Sequence, residues 1–424
     1  MNFAFTEEQD ELRRSVRKFL DDKSPMASVR RLMEGEVGFD EDVWKQATEQ
    51  LGLAGLAIPE NYGGLGYGAV ELGIVLEEMG RSLFCGPYFS SVVMAANAII
   101  ASGDQESMSQ HLPSIATGEA RYTICGYEEA HGFDLTPTSG EAVADGDHYL
   151  LSASKVYVID GASATDFLVF AKVDGELSLF YVSDSADAVT RTPMETLDQT
   201  RKLAKVEFVS APAHLIGAVG DGSEIYAKML NVAAAALSVE MVGGAQACLD
   251  MAVEYSKSRI QFGRPIGSFQ AIKHKCADIL VEVESAKSAA YYAMWAVAND
   301  PNEAMISAPL AKAFCGDAYF LLRQRTSRSM VESDSPGNTT HTSTSSGPSP
   351  LSCYLDLQVI SVLSWPKGSA SKRSGWELSI SNPISPPTQK GMNPNFGWTI
   401  PHRVSVRYHV GYVRIEGKPD GRRI

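Results

Sequence analysis

The composition of the chain changes abruptly near Phe320, and this change limits what the chain can fold into more than any other feature. Residues 326–350 hold 13 Ser or Thr and five Gly or Pro among 25 residues. A segment of this kind buries too little apolar surface to offset the entropy that is lost when a chain is ordered. We therefore expect a folded body that stops near Phe320 and an aberrant, disordered tail over residues 321–424.

The charge distribution divides the chain at the same place. Residues 321–424 contain 13 Lys or Arg against six Asp or Glu, a balance of +7. Because the whole chain carries −14, residues 1–320 carry −21. An acidic body is repelled at long range by nucleic acid and by anionic membranes, so we expect neither as a partner.

Signals for export, membrane insertion and metal binding are not evident in the sequence. We find no run of 18 apolar residues and no basic N-terminal flank followed by an apolar stretch, so we predict a cytoplasmic protein without a membrane span. The six cysteines include no C-x-x-C pair and have no histidine at metal-binding spacing. We therefore predict neither disulfides nor a metal site.

The body is organised as helices, then strands, then long helices. Thr6 and Gln9 form a capping box at the start of the first helix, and uninterrupted helical patterns cover residues 222–257 and 269–297. Segregated helices and strands predict an α+β fold rather than alternating units. The predicted domains are a helical domain (1–117), a middle β-barrel (118–213), an incomplete helical bundle (214–320) and the tail (321–424). The predicted strands include 149–151, 156–159, 167–171, 177–182 and 205–209.

One connection carries a specific pattern, R-x-x-F-G-x-x-I-x-x-x-Q, which runs from Arg259 to Gln270. With the segments 53–64, 111–113 and 118–119, it resembles the acyl-CoA dehydrogenase family over roughly residues 1–320. The resemblance implies a helical domain, a β-barrel and a four-helix bundle, assembled as a homo- or hetero-tetramer with FAD at subunit interfaces. It also implies an acyl-CoA substrate and an electron-transfer flavoprotein as the partner that reoxidises the flavin.

The resemblance assigns FAD contacts to Arg259, Phe262 and Gln270. An arginine at a helix end can grip a pyrophosphate with a forked, charge-assisted contact. Arg259 could instead serve only as a cation that stabilises the carboxyl end of its helix. Phe262 would pack on the cofactor and Gln270 would hydrogen-bond to it, although an aromatic residue in such a turn is often part of a core.

Two further patterns place residues beside the flavin ring. The run from Tyr127 to Asp134 stands where the family has T-E-P-x-x-G-S-D, which makes Tyr127 and Gly132 cofactor candidates. The run from Lys155 to Gly161 resembles the strand K-x-W-I-T-N-G, so Tyr157 is expected as a wall of the flavin site. The alternative for Tyr157 is an ordinary barrel aromatic.

The usual catalytic base is missing from the body. The family reaction needs a carboxylate within reach of the α-proton of the thioester. One family position for this glutamate falls on Ala233, and Ala234 follows where many members have arginine. Glu240 is the remaining candidate on this helix. Burying a carboxylate in an apolar helix is costly, so such a residue is either paired with a cation or has a functional role. The alternative is an ion pair between helices.

The second family position lies in the tail, where the reading frame itself is in question. If the codons from Ser329 to Asn338 are read one nucleotide back, suitable codon choices give His-Gly-Gly-Ile-Gly-Phe-Thr-Trp-Glu-His. This resembles the family motif Q-x-x-G-G-x-G-[FY]-x-x-E, so we hypothesise a frameshift near Phe320. Further along the shifted frame, the position of the family's glutamate reads as an apolar residue.

The resemblance therefore implies an FAD-dependent acyl-CoA dehydrogenase that removes hydrogens from the α and β carbons of a thioester. The alternative is a non-catalytic partner subunit that frames FAD in a heteromeric dehydrogenase, while another subunit donates the base.

Overall fold

The computed structural model describes residues 5–129, 139–184, 187–196 and 198–331, with side chains through Tyr319, and two further strands. The chain divides into two units, Met1–Lys367 and Gly368–Ile424. In the second unit, strands Val404–His409 and Tyr412–Gly417 pair as an antiparallel hairpin. Within the predicted tail, the structure describes this hairpin and the end of a helix at Val331. The other residues of 321–424 lie outside the described residues.

The first unit begins with the predicted helical region. The amide of Gln9 donates to the Thr6 hydroxyl (3.2 Å) and the amide of Thr6 donates to the Gln9 side chain (3.0 Å), which confirms the capping box. The helices are α1 (Glu7–Lys23), α2 (Met26–Glu34), α3 (Glu41–Lys45), α4 (Ala69–Ser82), α5 (Ala96–Ser102) and α6 (Gln105–Thr117), with π-helical turns at Gln46–Gln50 and Tyr88–Ala95 and a 3₁₀ turn at Glu60–Tyr62.

A barrel of seven strands follows. The strands are β1 (Tyr122–Cys125), β2 (Glu141–Asp145), β3 (His148–Ile159), β4 (Asp166–Val173), β5 (Glu176–Ser183), β6 (Val189–Met194) and β7 (Leu203–Ile216). The order β4-β2-β3-β7-β5 closes on itself because β5 also pairs with β4, while β1 lies beside β4 and β6 beside β7. The predicted strands at 149–151 and 156–159 are two parts of the single strand β3, which bulges twice.

Three long helices form the last part of this unit. They are α7 (Gly222–Ser258), α8 (Gln270–Asn299) and α9 (Pro301–Val331). Both helices predicted here are confirmed to within two residues at each end. Between α7 and α8 lie a small hairpin of β8 (Ile260–Gln261) and β9 (Arg264–Pro265) and a 3₁₀ turn at Ile266–Ser268. In the described part of the chain, α7 alone is long and apolar enough to cross a membrane, but most of its apolar window is buried, as in a core helix.

Helices α4 and α7 cross so closely that their backbones touch. A Cβ atom on Gly80 would overlap the backbone carbonyl of Glu240, and one on Gly243 would overlap the carbonyl of Glu77. Glycine at both positions allows an approach that no side chain permits. This crossing fixes Glu240 directly against the end of α4.

Buried charges tie α1, α4 and α8 together. Glu77 and Glu78 on α4 are almost fully buried. Glu77 accepts from Arg13 and from Tyr291, and Lys287 donates to it at 2.7 Å. Burial alone would raise the pKa of Glu77, but Lys287 and Arg13 hold that pKa below its ordinary value. The helical domain and the bundle are therefore joined by paired charges as well as by apolar packing.

Candidate functional site

Arg259 lies where α7 ends, as predicted. Its amide still donates to the carbonyl of Tyr255 (2.9 Å), and its own carbonyl accepts from the amide of Ile266 (2.9 Å). The second bond folds the β8–β9 hairpin back onto the end of the helix. This position is compatible both with a cofactor contact and with stabilisation of the helix dipole.

Phe262 is at the tip of that hairpin. Its φ angle of 52° and the 75° of Gly263 place both residues in the left-handed region that a tight reversal requires. The ring is 91% exposed and contacts Phe269 edge-on, with 6.0 Å between ring centroids. A core role for Phe262 is therefore wrong for the single chain. Gln270 begins α8 next to this hairpin, and its side chain is exposed.

The other predicted flavin contacts are on the barrel. Tyr157 lies in the second bulge of β3 with φ of 56° and is 42% exposed. A bulge re-aims a side chain, which explains how an aromatic in a barrel strand reaches the surface. Tyr127 is half-buried, 6.4 Å from Tyr226 between ring centroids, and burial raises its pKa. Gly132 lies outside the described residues, so the structure brings together only part of this set.

A buried ion pair holds the two ends of the segment that contains Gly132. Lys155 donates to Glu128 at 2.6 Å, and both side chains are almost fully buried. Glu128 also accepts from the amides of Ser139 (2.6 Å) and Gly140 (3.1 Å). One carboxylate thus ties residues on both sides of 130–138 to strand β3.

Helix α7 offers no acid at the family position of the base. Ala233 is fully buried and Ala234 is half-buried. Seven residues further on, Glu240 accepts from Arg201 through both carboxylate oxygens, at 2.7 and 2.9 Å. The predicted alternative, an ion pair, is thus present. Its partner comes from the segment before β7 and not from another helix.

Glu240 and Arg201 line a small cavity at the meeting point of the three predicted domains. Its walls come from the end of α4 and the following loop, from the end of β3, from the segment before β7, and from α7. The free space is about 20 Å³, roughly that of one water molecule. The lining residues are Gly80, Leu83, Phe84, Gly86, Asp160, Thr200, Arg201 and Glu240.

The charges around this cavity are unusual for a protein interior. Asp160 accepts from the Ser90 hydroxyl at 2.6 Å, and burial raises its pKa to about 6. Burial also raises the pKa of Asp198, two residues before the lining residue Thr200, to about 6. For Arg201, burial alone would lower the pKa, but Glu240, Asp198 and Asp160 raise it above its ordinary value. The guanidinium also covers the ring of Phe89 at 4.7 Å.

Asp160, Asp198 and Arg201 are site residues that were not predicted from the sequence. Asp160 stands where the resembling strand K-x-W-I-T-N-G has asparagine, and that departure was a usable signal. Asp198 and Arg201 follow β6 in a segment with no recognised motif. Only the fold shows that they meet Glu240.

Known proteins match most of the first unit of the chain. Residues 6–119 match the family description "Acyl-CoA dehydrogenase, N-terminal domain", and residues 220–326 match "Acyl-CoA dehydrogenase, C-terminal domain". The chain is 32% identical to the acyl-CoA dehydrogenase IpdE2 of Mycolicibacterium smegmatis over 74% of this chain and 83% of that one. It is 29% identical to the probable acyl-CoA dehydrogenase YngJ of Bacillus subtilis, over 70% and 80% of the two chains.

Solved structures agree with these sequence matches. A variant of the Tcur3481-Tcur3483 steroid ACAD superposes with a TM-score of 0.71 at 28% identity, over 83% of this chain and 92% of that one. Glutaryl-coenzyme A dehydrogenase in its glutaryl-CoA complex gives a TM-score of 0.74 at 26% identity, over 85% and 92%. The ChsE4-ChsE5 complex from Mycobacterium tuberculosis gives 0.72 at 25% identity, over 85% and 93%.

Proposed function

This chain belongs to the acyl-CoA dehydrogenase family, and from that membership we propose that it oxidises an acyl-CoA thioester to the α,β-unsaturated product. The observation that carries the proposal is the match to acyl-CoA dehydrogenases in both helical regions, 6–119 and 220–326. The identity of 32% to an acyl-CoA dehydrogenase over 83% of its length supports the same activity. We propose an electron-transfer flavoprotein as the physiological electron acceptor.

The residues that would hold FAD are compatible with it. Arg259 offers a cation at a helix end for the pyrophosphate. Phe262 offers exposed aromatic surface for the cofactor, and Tyr157 offers it for the flavin ring. An aromatic side chain that is 91% exposed on a folded body is uncommon and indicates a surface that something covers. Gln270 and Tyr127 complete the proposed set. FAD bound here would supply the acceptor for the two electrons of the reaction.

Glu240 is the proposed proton acceptor. The guanidinium of Arg201 donates to both oxygens of Glu240, at 2.7 and 2.9 Å, and so orients this side chain. Each oxygen accepts one of these bonds, so each keeps a lone pair with which the carboxylate can take the α-proton. The side chains of Arg201 and Glu240 are only 17% and 19% exposed, which strengthens the electrostatic interaction between them.

A partner-subunit role is the second candidate, and one observation favours it. The usual position of the base is the buried Ala233, so a second subunit would have to supply the missing carboxylate if Glu240 did not act. In this case the chain would contribute Arg259, Phe262 and Tyr157 to the cofactor site of a hetero-tetramer.

Turnover by matched variants separates the two candidates. We expect the purified protein to oxidise acyl-CoA thioesters with an artificial electron acceptor, and Glu240→Gln to lower kcat by at least about 100-fold through loss of general-base catalysis. Glu254→Gln on the exposed face of the same helix is the control and should leave kcat unchanged. Activity that survives Glu240→Gln, or that appears only after a second subunit is added, would contradict Glu240 as the base.

A further inference from the structure

The cavity beside Glu240 is polar where an acyl pocket for plain hydrocarbon would be apolar. Asp160, Arg201 and Glu240 line it together with Thr200, and the apolar contribution comes from Leu83 and Phe84. An alkyl chain end placed here would displace water from these charged groups without forming hydrogen bonds to them, which costs free energy. The lining therefore selects for a group that forms hydrogen bonds.

The size of the cavity limits that group to about one oxygen atom. Its free space of about 20 Å³ is close to the volume that one water molecule needs. A ligand atom that replaces a water keeps its affinity only if it reproduces the hydrogen bonds of that water. A hydroxyl group has the size of a water molecule and, like water, both donates and accepts.

The donors and acceptors on the walls match a hydroxyl. The bonds from Arg201 to Glu240 leave from Nη2, and a guanidinium carries further N–H donors. Asp160 is bonded to Ser90 through Oδ2, so its Oδ1 retains acceptor capacity. A hydroxyl can accept from Arg201 and donate to a carboxylate at the same time, whereas a ketone can only accept.

Charge argues against an acidic end group. Arg201 is already engaged by both oxygens of Glu240, and Asp160 and Asp198 lie near enough to raise its pKa. A further carboxylate would meet three like charges with one guanidinium to offset them. A basic end group would be attracted by these carboxylates, but an ammonium only donates and cannot accept from the guanidinium of Arg201, which lines the same cavity.

We propose that this cavity binds a hydroxyl group carried on the acyl chain of the substrate, with Arg201 as the residue that determines this specificity. The inference rests on the proposed function, because it takes the cavity at Glu240 as part of the acyl-binding site. It makes the substrate a hydroxylated acyl-CoA rather than an unsubstituted fatty acyl-CoA.

Equilibrium binding to the purified protein tests this without requiring turnover. The probes are hexanoyl-CoA, its derivatives with a hydroxyl on the γ, δ or ω carbon, and the ω-carboxylate and ω-amino derivatives, titrated by calorimetry. We expect one hydroxylated thioester to bind at least about 10-fold more tightly than hexanoyl-CoA, the size of one well-placed hydrogen bond. Equal or tighter binding of hexanoyl-CoA, or tighter binding of the carboxylate or amine, would overturn the proposal.

A paired variant shows whether Arg201 is responsible. The double variant Arg201→Met with Glu240→Gln removes both charges of this ion pair, and it should abolish the preference for the hydroxyl. Arg31→Met with Asp40→Asn removes a more exposed pair elsewhere and should keep that preference. If the double variant does not fold, the order of thioester affinities measured for the unmodified protein decides whether the cavity binds a hydroxyl. Binding of thioesters without preference removes only this proposal, whereas failure to bind every thioester removes the proposed function as well.

Discussion

Asp198 is a carboxylate that the fold holds away from water, and this makes stability depend on pH. Its side chain is fully buried and bonds to the amide and hydroxyl of Thr200, at 2.9 and 2.6 Å. Burial raises its pKa from 3.8 to about 6, so the folded protein binds a proton more tightly than the unfolded chain. The free energy of unfolding therefore falls as the pH rises from 3.8 to about 6, and the penalty is complete above that range.

We predict that Asp198→Asn stabilises the protein above about pH 7 by roughly 1–3 kcal/mol. The reason is that asparagine keeps an acceptor for Thr200 without the buried charge. The advantage should shrink as the pH falls through about 6 toward 3.8. Thermal unfolding across this range checks it, with the exposed Asp22→Asn as the control. A variant that is less stable than the parent above pH 7 would contradict this prediction.

The buried pair Lys155–Glu128 gives a second residue-scale prediction. Lys155→Met leaves the carboxylate of Glu128 buried without its cation, so we expect a loss of about 3–5 kcal/mol in the free energy of unfolding. Adding Glu128→Gln should recover part of this loss, because it removes the buried charge and the amide oxygen can still accept from the amide and hydroxyl of Ser139. Chemical denaturation measures both. Equal stabilities of the single and double variants would mean that the charge of Glu128 is not the cause.

Site residues that belong to one short sequence motif could be predicted from the sequence. Arg259 and Phe262 belong to one short pattern, and the structure places both on the connection that the pattern predicted. Asp160, Arg201 and Glu240 are far apart in the chain, and their meeting depends on how the barrel packs against α7. No spacing rule in the sequence encodes a contact of that kind.

Among the elements, the crossing of α4 and α7 carries the clearest prediction. Gly80→Ala would drive a methyl group into the backbone of Glu240, and backbone cannot move aside as a side chain can. We expect the free energy of unfolding to fall by about 1–3 kcal/mol. Thermal unfolding tests it against Gly35→Ala, where the added carbon would meet nothing closer than 3.5 Å. A Gly80→Ala protein as stable as the control would mean that the two helices can separate at no cost.

The long helices were predictable and several strands were not, for a physical reason. Helices α7 and α8 have apolar residues over many turns and few breakers, so their pattern is strong. Strands β2 and β6 are short and mostly exposed, and such strands show no alternation of apolar and polar residues. Strand β1 is fully buried but only four residues long, and it is held by parallel pairing with β4.

At the scale of the whole molecule, a shifted reading frame would account for the composition of residues 321–424. The C-terminal family match ends at residue 326, close to the change in composition and charge. We predict that the coding DNA, read one nucleotide back from Ser329 to Asn338, spells the glycine-rich family motif. Sequencing the gene around Phe320 checks this. Codons whose letters forbid His-Gly-Gly-Ile-Gly-Phe would contradict the frameshift hypothesis.

We propose that this chain uses FAD to oxidise acyl-CoA thioesters, and anaerobic titration tests this activity most directly. The protein is loaded with FAD, freed of excess cofactor and mixed with hexanoyl-CoA or its hydroxylated derivatives in the absence of oxygen. We predict that the visible flavin absorbance bleaches in proportion to bound FAD and that the α,β-unsaturated thioester forms in equal amount. Retained FAD whose absorbance no thioester bleaches, or a protein that does not retain FAD at all, would contradict the claim.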